Sequence, residues 1–142
     1  MPFDLPLALI IFFPLAGFII CGLIGSRMTK PWPGIIASGT VLASFIVALI
    51  RVIGLVSMPG NSRTITETVY TWISVGALRS DVSFLFDPLS AVMILIITGI
   101  GFLIHLYSIG YMAEDHNDPK GKLYARYFCW LNLFIAFMSL LV

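Results

Sequence analysis

Apolar residues run almost unbroken over four stretches of this chain, 5–24, 35–58, 88–111 and 123–142. Polar residues are gathered in the joints between them. An α-helix rises about 1.5 Å per residue, so about 20 residues cross the roughly 30 Å hydrocarbon core of a bilayer. Each stretch reaches that length, and the pattern predicts about four transmembrane helices. The fourth barely spans, and the chain stops at or just inside the far edge of a helix. The expectation is therefore one N-terminal transmembrane fragment, 1–142, of a larger polytopic subunit, with its fourth helix truncated.

Between the second and third stretches the period changes. Ile65, Val69, Ile73 and Val75 share one parity, with Glu67 and Thr71 between them, while Leu78, Val82, Phe84 and Phe86 share the other. Alternation of this kind marks strands. Gly76-Ala77 between the runs suits a two-residue hairpin turn with glycine first. A β-hairpin over about 64–86 is predicted, outside the bilayer, with Tyr70 and Trp72 near the interface; a loose interfacial loop is the alternative. The fold class is then an all-α membrane protein with a hairpin between helices 2 and 3.

Inside the spans a few residues break the apolar pattern. Pro14 removes a backbone donor from the first, which a transmembrane helix tolerates when a neighbour satisfies the freed carbonyl. Gly17, Cys21 and Gly25 recur every fourth residue and make a small-residue packing face. Arg51 lies near the end of the second span. It either snorkels to the interface or, on the same face as Ala37, Ser44 and Ala48, acts against a neighbouring helix. Asp87 followed by Pro88 reads as a helix start, an acid at the N-cap with proline at N1; proton or ion entry is the other role open to that carboxylate. His105 lies about 25 Å along the third span. With Thr98, Gly101 and Ser108 it forms a polar stripe on one face, which in lipid must meet protein or water. An imidazole there serves either a proton relay or a hydrogen bond between helices. His116 sits in the charged loop 113–123 and reads as solvated.

Composition agrees with lipid as the solvent. Hydrophobic residues make up 59% and charged residues 11%, against about 25% charged in soluble domains. The net charge of +1 and the lack of a basic run argue against a nucleic-acid partner. Cys21 and Cys129 are too far apart for a CxxC motif and read as buried hydrophobes. No positive segment precedes the first span, so it reads as a permanent helix, not a signal peptide. Arg27, Lys30, Lys120, Lys122 and Arg126 fall on one side of the membrane, and Arg63 and Arg79 on the other. The excess of lysine and arginine marks the cytoplasmic side, which puts the N-terminus and the hairpin in the periplasm.

The run Phe86-Asp87-Pro88-Leu89-Ser90, the run from Ile97 through His105 to Met112, and Tyr127-Phe128 with Leu131-Asn132-Leu133-Phe134 together resemble a known family. So does Trp72 to Leu78. The resemblance is to the N-terminal region of subunit L of NADH–quinone oxidoreductase (respiratory complex I), an antiporter-like family. It implies a proton-translocating membrane arm in the bacterial inner membrane. It implies partners among the other membrane-arm subunits, especially the neighbouring antiporter-like subunit, besides the bilayer itself. NADH, FMN, iron–sulfur clusters and quinone are expected in partner subunits, with no cofactor or catalytic centre in this chain. The family's principal proton carriers lie on later helices, so this piece is expected mainly to scaffold them. His105, Asp87 and Arg51 are the relay candidates, and Thr98, Gly101 and Ser108 the polar packing face. The large subunit of a multi-subunit sodium/proton antiporter and a short structural membrane subunit are the alternatives.

Overall fold

The computed structural model describes residues 5–60, 63–114, 118 and 120–142. Its elements are α1 (Ala8–Leu23), a 3-10 turn (Gly25–Arg27), α2 (Trp32–Val56), β1 (Ile65–Val75), β2 (Leu78–Phe86), α3 (Pro88–Ala113) and α4 (Lys122–Leu141). The chain is thus mostly helical, with an antiparallel hairpin between α2 and α3. His116 lies outside the described residues.

Among the described residues α2, α3 and α4, at 25, 26 and 20 residues, are long and apolar enough to cross a membrane. The first span is shorter than its apolar stretch: α1 has 16 residues, about 24 Å. Pro6 disfavours helix at Leu5 before it, and beyond Ile24 the backbone tightens into the 3-10 turn. The second span starts earlier than the hydropathy run. Trp32 opens it and Pro33 occupies its first turn, where a missing N–H costs no hydrogen bond.

The hairpin turns at Gly76-Ala77 as predicted. Gly76 takes φ 59° while Ala77 keeps a negative φ, the pattern of a turn with glycine first. The expected alternation does not carry through β1. Its pairing skips Val69 and Trp72, because Thr68 faces Ser83 and Tyr70 faces Val82, while Thr71 faces Asp81 and Ile73 faces Ser80. Each extra residue is a bulge that reverses the facing of the strand beyond it. Only the base of the hairpin is held by the helices: Phe86 is buried, while Trp72, Val75 and Leu78 are exposed.

α1 packs against α2 and α4, and α3 against α2 and α4. The buried apolar residues form two clusters. One, at the hairpin end, joins Leu7, Ile10, Val47, Ala48, Leu55, Phe86, Ala91 and Ile94. The other, at the far end, joins Cys21, Ala37, Tyr124, Phe128 and Cys129. Between the two clusters every helix contributes small or polar residues, Pro14 and Gly17, Thr40 and Ser44, Thr98, Gly101 and His105, and Asn132, with Val41 and Ile135 packed among them. The bundle is therefore two oily ends around a polar middle layer.

Candidate functional site

The middle layer is built from backbone outward. Pro14 has no N–H to give to the carbonyl of Ile10, four residues back. The Ser44 hydroxyl of α2 donates to that oxygen instead, at 2.5 Å. A kink-prone position in α1 is thereby tied to α2. The neighbouring Gly17 lets the backbones close further: a Cβ there would collide with Asn132 Nδ2 and Thr40 Oγ1.

His105 stands in the middle of this layer with no exposed surface. Its Nδ1 lies 2.7 Å from the Gly101 carbonyl and its Nε2 lies 2.9 Å from Asn132 Oδ1 on α4. Asn132 in turn donates through Nδ2 to Thr40 Oγ1 on α2 at 3.2 Å, and the Thr40 hydroxyl donates to the Ala37 carbonyl at 2.8 Å. Phe128 packs beside the imidazole, with ring centroids 6.0 Å apart. One side chain each from α3, α4 and α2 is thus strung on a continuous hydrogen-bonded chain.

The rest of the predicted stripe shares this buried face. Thr98 and Ser108 are buried with His105. The Thr98 hydroxyl returns to the Ile94 carbonyl at 2.6 Å. Ser108 Oγ and Tyr127 OH lie 3.0 Å apart one turn beyond His105. Gly101 is where α4 comes close, since a Cβ there would lie 2.6 Å from Ile135 Cδ1.

Arg51 and Asp87 are elsewhere and are not joined to His105. Arg51 does not snorkel to a free interface: it is buried, and its Nη2 lies 2.8 Å from Glu67 Oε2 on β1. The same oxygen accepts the backbone N–H of Leu7, where α1 begins, at 2.9 Å. Its ion-pair partner, half-buried Glu67, stands on the hairpin. Asp87 caps α3, with its carboxylate accepting the Ser90 N–H at 2.7 Å. Hydrogen bonds from the Ser90 backbone and side chain hold that carboxyl below the usual range.

Three members of these arrangements were not legible as such in the sequence. Asn132 interrupts one apolar run and Thr40, with Ser38 and Ser44, another, and those breaks in the pattern are the signal that finds them. The third is Asp118, buried in the loop before α4, which accepts the N–H groups of Lys122 and Tyr124, each at 2.9 Å. Its burial pushes the carboxyl up. Those two donors and the Lys30 charge outweigh the push, and the carboxyl sits below its ordinary value.

The fold defines a multi-pass membrane subunit with a polar layer between its helices. The family described as "NADH-Ubiquinone oxidoreductase (complex I), chain 5 N-terminus" matches residues 72–128. The chain is 41% identical over 134 residues to the NADH-quinone oxidoreductase subunit L of Mycobacterium tuberculosis, covering 94% of this chain and 20% of that protein. It is 35% identical to subunit L of Escherichia coli, covering 96% and 21%. It is 34% identical to NADH-ubiquinone oxidoreductase chain 5 of Arabidopsis thaliana, covering 94% and 19%. The chain spans about one fifth of the length of these curated relatives. Along nearly all of its residues the chain is thus similar to part of these relatives, and over 72–128 to the N-terminal region that the matched family describes.

Proposed function

We propose that this chain serves the proton-translocating membrane arm of NADH–quinone oxidoreductase, mainly as a scaffold for the helices that pump. Its relatives carry that enzyme's name, and the observation that bears most on mechanism is the fully buried His105 between two hydrogen-bond partners. A titratable ring inside a membrane layer is a functional group by default. In this reading His105 takes part in the hydrated polar axis from the cytoplasmic side. The N-terminus and hairpin face the periplasm of a bacterial inner membrane, and the partners are the other membrane-arm subunits, the neighbouring antiporter-like subunit first.

The redox groups belong to partner subunits. The Cys21 thiol points at the Pro33 carbonyl and the Cys129 thiol at the Phe18 carbonyl, inside an apolar cluster. Both are thus ill-suited to ligating an iron–sulfur cluster, and no step here passes through a cofactor.

His105→Gln in the assembled enzyme tests the reading. Glutamine keeps hydrogen-bonding capacity without a titratable ring. The expected result is a lower proton-to-electron ratio with assembly and NADH oxidation retained. An unchanged ratio removes the relay role. Copurification of the native chain with redox subunits, as opposed to antiporter subunits alone, separates complex I from a cation/proton antiporter.

A further inference from the structure

With the Asn132 amide oriented as it stands, every link of the chain Gly101–His105–Asn132–Thr40–Ala37 is a hydrogen bond for only one distribution of hydrogens. His105 Nδ1 meets a carbonyl oxygen, which can only accept, and Nε2 meets the amide oxygen of Asn132, which also can only accept. Both ring nitrogens must then carry hydrogen. Asn132 Nδ2 donates onward to Thr40 Oγ1, and Thr40 donates to Ala37. This is the pairing of the protonated imidazole.

With one proton fewer, a bare ring nitrogen faces an oxygen. If Nδ1 lost its hydrogen, two acceptors would oppose each other at 2.7 Å. The alternative keeps Nδ1–H on Gly101 and turns the Asn132 amide over. Its Nδ2–H then donates to Nε2, and its Oδ1 accepts from the Thr40 hydroxyl, which swings away from Ala37. Each link from Gly101 to Thr40 again sets a donor against an acceptor, as buried polar groups require. The two states differ by one proton at Nε2, one amide turn and one hydroxyl rotation.

We infer that Asn132 and Thr40 are positioning residues of His105, and that the Asn132 amide turns over whenever the imidazole gains or loses its second proton. The N–H bond formed at Nε2 takes its proton from water and returns it there. The proton on α3 is thereby felt on α2, at half-buried Thr40. The ionisable groups on the packed elements are Lys122, Tyr124, Arg126, Tyr127 and Cys129 of α4, Cys21 of α1 and Arg51 of α2. Arg51 is paired with Glu67 at the hairpin end, Tyr127 meets Ser108, and none of them bonds to the ring. Gly17, lacking a Cβ, lets the Asn132 amide and the Thr40 hydroxyl meet against α1. This inference rests on the reading of His105 as a group that changes protonation.

The experiment uses the full-length subunit in lipid with 15N-labelled histidine, and the His105 ring signal is identified by its loss in His105→Gln. The ring is titrated by NMR in the wild type, Thr40→Val and Thr40→Ser. Valine matches threonine in shape and lacks the hydroxyl. The hydroxyl makes two hydrogen bonds in the protonated state and one in the neutral state, so valine should lower the proton affinity of His105 by up to about tenfold, the worth of one buried hydrogen bond, and serine should keep the wild-type midpoint. Asn132→Leu should lower it at least as much. A midpoint unmoved by Thr40→Val, or a ring whose signal never changes with pH, overturns the coupling. A Thr40-sensitive titration upholds it even if His105→Gln leaves the pumping ratio unchanged, an outcome that removes only the transport role.

Discussion

Ser44 and Pro14 show how single residues in this bundle answer one another. The proline frees the Ile10 carbonyl, and the serine of the adjacent helix bonds it. Ser44→Ala should cost about 1 kcal/mol, the size of a good hydrogen bond between membrane helices. Pro14→Ala in that background should recover much of the loss, because an alanine at that position supplies the missing N–H from its own helix. Unfolding of the full-length subunit in mixed micelles measures both, and strictly additive effects would show that Ser44 does not serve Pro14. The sequence foretold the vacancy at Pro14 but not its donor. Likewise Thr98, Gly101, His105 and Ser108 were visible as a stripe because they share one helix and one period. Asn132 and Thr40 were not tied to them, because the pairing crosses three helices and no local period encodes it.

At the scale of elements, the hairpin is joined to the helices at its base by Glu67. Its carboxylate holds Arg51 of α2 and the backbone start of α1 together. Removing one partner of a buried ion pair strands the other, a loss of about 3 kcal/mol, trimmed here because Glu67 keeps 29% of its side chain exposed. Arg51→Met should therefore destabilise the subunit by about 2–3 kcal/mol and open the hairpin to protease. Adding Glu67→Leu should restore a good part of the stability, since the stranded carboxylate is gone. A double variant as weak as the single one refutes the pairing. The helix starts carry a pH signature. Asp87 and Asp118 both have carboxyls held below their ordinary values by backbone N–H groups. A depressed folded value means stability present above the unfolded value, about 3.9, and lost as pH falls through the folded one. Amide exchange at Ser90, Lys122 and Tyr124, corrected for intrinsic rates, should quicken only below about pH 4; Asp87→Asn and Asp118→Asn should bring that loosening to neutral pH. The strands and their turn were readable from alternation and Gly76-Ala77. The bulges at Val69 and Trp72 were not, because an inserted residue changes facing without changing composition.

Across the whole molecule, the two apolar clusters and the polar layer between them give the bundle two distinct ends, and the charges are divided unequally between them. Arg27, Lys30, Lys120, Lys122 and Arg126 crowd the end where α1 stops and α4 starts, while Arg63 and Arg79 lie with the hairpin. Arg51 adds a third cation to the hairpin end, and five against three keeps the sign of the asymmetry. That excess supports the proposed orientation with the hairpin outside. The native thiols Cys21 and Cys129 are both buried, so each is replaced by alanine to clear the background. Single cysteines are then placed at Arg79 in the hairpin and at Lys122 in the loop end. In intact bacterial cells a membrane-impermeant maleimide should label Arg79→Cys and spare Lys122→Cys, and permeabilised cells should label both. The reverse pattern would turn the subunit over. It would also place the Tyr127 and Ser108 end of the polar layer, and with it the nearer mouth for a proton at His105, on the periplasmic side.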